Sequence, residues 1–348
     1  MKRLITFPDI EQFRSVVHNV KHKTSYQGKD ENDNVIHDYT KHCPVLTFEG
    51  TVKLHGTNSA VVMEDDEMWV QSRENIIDPA KDNAGFAMFV HSKKNVFEKL
   101  FDVINLPDNP VVIFGEWCGK GIQKGMAISE LPKMFVVFNI AYANINDQEM
   151  IEKTWLSKEK IIKIMSTINE PEIKCIFDFP HWYLDIDFNK PHEYQIKLAE
   201  MMLAVEAECP VGKQLGVIGI GEGIVWKCIS KGYENSGFWF KVKGDKHSAT
   251  KVKTLVPVDV ERINNIKELV EKITPMWRLE QMCSKTFDLL NGGRIEMKGM
   301  GEFIKNTMAD ILKEEIDTLA ASGFTSKDIT SSVAAKCRQY LSEQLNTF

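Results

Sequence analysis

Lys53 stands in the run Thr51-Val52-Lys53-Leu54-His55-Gly56-Thr57-Asn58, just after the β-like stretch Val45-Leu46-Thr47-Phe48. A lysine that leaves a strand into a tight turn, with Gly56 allowing close backbone approach and small polar side chains following, suits attack on a nucleotide phosphate. An amine attacks only when deprotonated, and the reference pKa of lysine is about 10.4. Neighbouring cations disfavour a further positive charge and so lower that value. The run Phe238-Trp239-Phe240-Lys241-Val242-Lys243 provides them. Side chains alternate along a strand, so Lys241 and Lys243 share one face, where they would also neutralise a phosphate under attack.

Further strand-like runs deliver polar groups between these two lysine sites. Met68-Trp69-Val70-Gln71 ends in Ser72-Arg73, and the planar fork of Arg73 suits bridging phosphate and ribose. Val111 to Gly115 is an apolar strand that presents Glu116, placed to bind ribose hydroxyls, and the segment Trp117 to Gly125 follows with Gln123 in it. Met134 to Ile140 is another strand, and it carries Phe138. Gly221-Glu222-Gly223 sets a carboxylate at the mouth of the strand leading to Lys227. The glycine-rich stretch 216–223 precedes β-like sequence, whereas a dinucleotide-binding or P-loop glycine run opens a helix. The glycines are read instead as admitting a nucleotide beside Glu222.

Lys53, Arg73, Glu116, Glu222 and the Lys241/Lys243 pair, arriving in this order on strands, resemble the covalent nucleotidyltransferase superfamily of ATP-dependent ligases and RNA capping enzymes. Within it the chain resembles the bacteriophage RNA ligase 2 and kinetoplastid RNA-editing ligase family. His55 stands where DNA ligases and capping enzymes carry aspartate, and Phe114-Gly115-Glu116 with Gly119-x-Gly121-Ile122-Gln123-Lys124 is similar to a segment of RNA ligase 2-like proteins. Thr51 and Val52 depart from the basic and acidic residues that phage relatives carry there. The resemblance implies an α+β fold: a nucleotidyltransferase domain of ATP-grasp-like antiparallel sheets over 1–250, then a small all-α domain over 251–348. It implies an ATP-dependent RNA ligase sealing 3′-OH and 5′-phosphate ends, in nicked duplex or bridged RNA, through a Lys53–AMP adduct and an adenylylated 5′ end. ATP and Mg²⁺ are the implied cofactors, with Mn²⁺ as a substitute and Glu222 linked to the metal. The implied nucleotide contacts are Lys53, Leu54, Arg73, Glu116, Phe138, Glu222, Lys241 and Lys243, of which Lys53, Arg73, Glu222, Lys241 and Lys243 are also assigned to catalysis. His55, Asn58, Gln123 and Lys227 fall to the substrate end. RNA is the implied partner, with RNA/DNA hybrids as a further class. The competing readings are a DNA ligase, a capping guanylyltransferase and a catalytically silent RNA end-binding protein.

Composition sets the frame. The chain has 348 residues, 43% hydrophobic and 26% charged, enough for a sizeable core and two domains. No stretch of about 18 apolar residues occurs and the first residues lack the apolar core of a signal peptide, so a cytoplasmic location without membrane contact is expected, and a monomer is the simplest expectation. Seven scattered cysteines with no Cys-x-x-Cys pair suggest neither a disulfide framework nor a zinc site. The net charge of −6 argues against coating by nucleic acid, yet residues 227–253 hold seven lysines against Glu234 and Asp245, a local basic groove. Residues 21–38 read as an exposed loop. Helical spacing marks 95–101 and 157–166, and beyond Pro257 it marks 260–270, 276–290, 295–319 and 327–345. That helical tail disagrees with the all-β barrel expected after the catalytic domain of DNA ligases and capping enzymes.

Overall fold

The computed structural model describes residues 2–31, 33–104, 109–145, 151–243, 265–291 and 294–346. It divides into two compact units, Met1–Gly244 and Asp245–Phe348. Three elements open the first unit: α1 (Phe13–Ser25) and a hairpin of β1 (Tyr26–Lys29) and β2 (Val35–His37). There follow β3 (Val45–Lys53), β4 (Thr57–Glu64), β5 (Glu67–Ser72), β6 (Ile76–Ile77), α2 (Phe86–Ser92) and α3 (Lys94–Ile104). Next come β7 (Val111–Cys118), β8 (Met134–Ile145), β9 (Ile151–Trp155), α4 (Lys158–Met165) and β10 (Ile173–Cys175). The unit ends with β11 (His181–Asp187), α5 (Pro191–Ala207), α6 (Pro210–Gln214), β12 (Gly223–Cys228) and β13 (Trp239–Lys243).

Two sheets carry the site. One has the order β11-β3-β12-β13; the other runs β10-β8-β7-β4-β5-β6, with β9 added on β8. Pairing is antiparallel except between β10 and β8. Alternation assigns each sheet an apolar outer face. Phe48, Val52, Ile224, Trp226 and Phe240 of the four-stranded sheet pack with Phe13, Val16 and Val20 of α1 and with Leu198 and Val205 of α5. Val61, Val111, Ile113 and Val137 of the larger sheet pack with Phe86, Phe97, Leu100 and Ile161 from α2, α3 and α4. The inner faces meet through a third cluster, in which Ile5 and Phe7 of the N-terminal segment join Ala60, Val112, Phe114 and Trp239. That segment is pinned at both ends. The buried Gln71 side chain bonds both the N–H and the carbonyl of Ile5, and Glu11 exchanges backbone hydrogen bonds with Trp239 and Lys241.

The stretch 21–38 is not the loop its composition suggests. Residues 21–25 finish α1, and Tyr26–Lys29 and Val35–His37 pair as the β1–β2 hairpin, bulged between Tyr26 and Gly28 where Gly28 takes φ +109°. Most of this hairpin is exposed, so its strands carry none of the apolar alternation that would reveal them.

The second unit contains α7 (Asn265–Ile273), α8 (Met276–Asn291), α9 (Met300–Glu314), α10 (Ile316–Ser322) and α11 (Ser326–Asn346) around Val270, Phe287, Phe303, Ile311, Val333 and Leu341. The helical pattern over 295–319 is interrupted, first by a 3₁₀ turn at Met297–Gly299 and then at Glu315. Arg278, fully buried on α8, faces Glu314 at 3.4 Å and Glu315 at 3.1 Å and donates to the Ile273 carbonyl. Residues 260–264, part of the first helical pattern, lie outside the described residues, as do Lys246, Lys251 and Lys253 of the basic run. No helix among the described residues is long and apolar enough to cross a membrane.

Candidate active site

β3 ends at Lys53, and the sheet register gathers the lysines. Gly223 of β12 pairs with Lys53 on one side and Lys243 on the other; Val225 likewise lies between Thr51 and Lys241. Directly paired residues point to the same face, so Lys53, Lys241 and Lys243 emerge together on the inner face. A side chain at Gly223 would not fit, since its Cβ would lie 2.1 Å from the Val242 carbonyl oxygen.

Glu222, one residue before the strand, turns its buried carboxylate into this cluster. Lys53 Nζ lies 2.6 Å from Oε1 and His55 Nδ1 lies 3.3 Å from Oε2. Burial opposes ionisation of Glu222, but Lys53, then His55 and Lys243, override it and hold the carboxyl well below the usual carboxylate range. The pairing favours the ammonium form of Lys53, an influence opposite in sign to that of the neighbouring lysines.

The larger sheet supplies the facing wall. Glu116 on β7 pairs across to Asn58 on β4, so both side chains look inward. Gly56 donates its N–H to Glu116 Oε1 at 3.0 Å. A Cβ at Gly56 would sit 2.3 Å from the Trp117 carbonyl oxygen, so glycine is what lets the turn after Lys53 cross β7. Burial pushes the Glu116 carboxyl up to about 7; Lys53, the Gly56 N–H and Arg73 restrain the rise and the Glu222 charge adds to it. Arg73 follows the last residue of β5 and is held by Asp9 of the N-terminal segment, with Glu74 3.7 Å from its Nε. Asn83 donates to Thr57 Oγ1 at 3.1 Å and so fixes the residue before Asn58.

Deeper in the cleft, the β7–β8 register shifts between Phe114 and Gly115, opposite Phe138. Such a bulge sends two consecutive side chains to one face, and Lys227 meets both. Its Nζ donates to the Phe138 carbonyl at 3.2 Å and to Asn139 Oδ1, and stands 5.8 Å from the Phe138 ring centroid and 5.1 Å from that of Trp239. Burial pushes the Lys227 ammonium down to about 7, against the pull of Glu49 and Cys175. Glu49, paired with Lys227 across β3 and β12, is buried and ion-paired to Lys158, and also accepts from Tyr183 Oη at 3.0 Å. His181 Nε2 stands 3.1 Å from Lys158 Nζ. Sequence reasoning missed Glu49, Asn139, Lys158 and Tyr183; the only signal for Glu49 was its place four residues before Lys53, on the same strand face.

Lys53, His55, Glu222, Lys241 and Lys243 thus converge, with Glu116, Asn58 and Arg73 on the opposite wall and Phe138 further in. The geometry bears on three of these expectations. Leu54 is buried in the outer core, so its side chain does not face the cleft. Lys227, assigned to the substrate end, bonds Phe138 and Asn139 on the cleft floor. Of the glycines of 216–223, Gly219 and Gly221 serve packing, since a Cβ at Gly219 would lie 3.2 Å from Ala127 and one at Gly221 2.7 Å from Val205, whereas Gly216 has open space and φ +84°. Gln123 sits half-buried on the 119–125 loop, and no hydrogen bond of its side chain to the lysine cluster is present among the described residues.

Among the described residues no group of three or more His, Cys, Asp or Glu side chains is arranged to hold a metal ion. Glu222 and Glu116 nonetheless give hard oxygen donors beside Lys53. That set fits a small divalent cation that keeps most of its shell as water and phosphate oxygens.

The sequence model of the RNA ligase family matches residues 46–243. Among solved structures the chain is similar to Naegleria gruberi RNA ligase. A mutant of that enzyme with AMP and Mn aligns at 18% identity and TM-score 0.45 over 71% of this chain and 58% of that one. A mutant with ATP and Mn gives the same figures, and the enzyme with PPi aligns at 19% identity and TM-score 0.44, again over 71% and 58%. This chain therefore spans less than two thirds of the length of those structures.

Proposed function

This chain belongs to the RNA ligase family, and from that premise we propose that it is an ATP-dependent RNA ligase that forms a covalent Lys53–AMP adduct and joins 3′-OH to 5′-phosphate ends. The observation that carries the reading is the convergence of Lys53 with Glu222, Lys241 and Lys243 at one end of a cleft whose opposite wall bears Glu116. We place it in the RNA ligase 2-like branch on His55 and the Phe114-Gly115-Glu116 segment, acting on nicked or bridged RNA in the cytoplasm as a monomer.

Adenylylation begins with release of Lys53 from Glu222 and loss of a proton to solvent, because Glu222 is too weak a base to keep it. The amine then bonds to the α-phosphorus as the bond to pyrophosphate breaks. Lys241 and Lys243 neutralise the phosphoryl oxygens as charge develops on them. Glu116 accepts from ribose hydroxyls, Arg73 bridges ribose and phosphate, and Phe138 gives the base a flat wall. Glu222, together with the nucleotide, would hold a Mg²⁺ or Mn²⁺, which would supply charge neutralisation of the triphosphate. AMP next passes from Lys53 to the 5′-phosphate, and attack by the 3′-hydroxyl seals the strand and releases AMP. His55 and Asn58 orient the ends.

Incubation with α-labelled ATP and Mg²⁺ tests this. Wild type is expected to take an acid-labile label that Lys53→Ala does not. Label from GTP instead of ATP would point to a capping-type enzyme. No label from either, after pyrophosphate stripping, would reduce the chain to an RNA end-binding protein. Sealing of nicked DNA in preference to RNA would identify a DNA ligase.

A further inference from the structure

Residues 5–11 lie between the two sheets and touch them in ladder fashion only at one bridge, Glu11 to Phe240. Pro8 brings no N–H to a ladder, which keeps the middle of the run out of both sheets. Contacts nevertheless recur at every second residue, the period of an extended chain. Ile5 is bonded through its backbone to the side chain of Gln71, two residues before Arg73. The buried Phe7 ring stands edge-on to Phe138 at 4.9 Å, with 69° between planes. Asp9 is ion-paired to Arg73. Glu11 donates to the Trp239 carbonyl at 3.1 Å and accepts from the Lys241 N–H at 2.9 Å. One short segment thus touches Phe138 and Arg73 on the wall of the larger sheet and the strand of Lys241 on the other.

Burial accounts for Ile5 and Phe7, which join the apolar cluster between the sheets. It does not account for Asp9. The Asp9 and Arg73 side chains are 59% and 39% exposed, and an ion pair so open to water adds little to stability. Its effect is on direction. Arg73 follows the last residue of β5, and a long side chain gives up rotamer freedom when a ligand fixes it. With Nη2 on Asp9 and Nε facing Glu74 at 3.7 Å, the plane of the guanidinium is set before a nucleotide arrives. Nη1 keeps its donors, with no hydrogen bond of its own among the described residues. The Arg73 charge acts on the Glu116 carboxyl, so the fork stands at the same wall.

We propose that Asp9 is a positioning residue for nucleotide binding, holding the Arg73 guanidinium in the orientation in which it takes the nucleotide. That Arg73 meets a nucleotide rests on the RNA ligase reading; the ion pair and the anchoring of the segment do not. Equilibrium titration of the full chain with ATP in EDTA, where no transfer takes place, tests it after pyrophosphate stripping, beside labelling by α-labelled ATP and Mg²⁺. Asp9→Ala is expected to weaken ATP binding about three- to tenfold, because the fork must then be ordered by the ligand, and Asp9→Glu to restore most of the affinity. In an Arg73→Ala background Asp9→Ala should cost nothing further, a coupling that a merely structural role of Asp9 would not produce. Unchanged or tighter binding by Asp9→Ala overturns the proposal, as does the same loss with Arg73 already removed. Wild type that binds ATP but takes no label counts against the ligase reading alone, and wild type that binds no ATP overturns both.

Discussion

Glu116 and Lys227 hold unusual protonation equilibria on the inner faces of the two sheets, and they tie stability to pH in opposite directions. The Glu116 carboxyl stands at about 7 instead of 4.5. Its folded form binds a proton that the unfolded chain has already released, so stability falls as pH rises from about 4.5 to 7, by about 3 kcal/mol at most. Lys227 stands at about 7 instead of 10.5. Here the unfolded chain holds the extra proton, and stability rises as pH climbs from about 7 to 10.5. Thermal unfolding across this range should show Glu116→Gln losing the acid-side slope and Lys227→Met losing the alkaline-side slope. Unaltered slopes would place both groups in more aqueous surroundings than the cleft provides. The lysines, Arg73 and both glutamates were legible in the sequence because each ends or enters a short apolar run. Glu49 and Lys158 were not, since a residue 109 positions from its partner leaves no local trace of the ion pair.

Elements position these groups through two close approaches. The turn after β3 crosses β7 only because Gly56 lacks a side chain, and that crossing puts its N–H on Glu116. Gly56→Ala is therefore expected to lower Lys53 adenylylation by at least about tenfold, more through nucleotide binding than through folding, as a rise in the ATP KM would show. In the second unit, Arg278 neutralises Glu315 in the core of the helices. Arg278→Ala removes the buried counter-charge of that carboxylate, a loss of about 3–5 kcal/mol, measurable in denaturant unfolding. Strands with apolar alternation and helices with a clear stripe were readable at this scale. α5 was not, because only Leu198, Met202, Val205 and Glu206 of its seventeen residues are buried and its apolar positions also include exposed Ile196 and Leu203. The hairpin was missed for the reverse reason: its exposed strands need no apolar face.

At the scale of the whole molecule, the charge of −6 and the polyanionic substrate proposed for this chain are reconciled by segregation, with Lys227 on β12 and Lys241 and Lys243 on β13. Every residue assigned to adenylylation lies in the unit Met1–Gly244. A chain cut after Gly244 is expected to label with ATP while losing the ability to seal RNA; loss of both activities would mean that the helical unit supports the first step too. Two-unit organisation was legible from the switch from strand-like to helical spacing, whereas the split of the strands into two facing sheets depends on long-range pairing that spacing does not encode. The N-terminal segment carries a further consequence, for the order of assembly. Its anchors are Gln71 and β13, so residue 11 finds its place only after residues 239–241 have left the ribosome. Contacts of such large sequence separation form late and slow the search for the native state. Nucleotide-binding competence should thus be the last property a refolding chain regains, well after its sheets have registered.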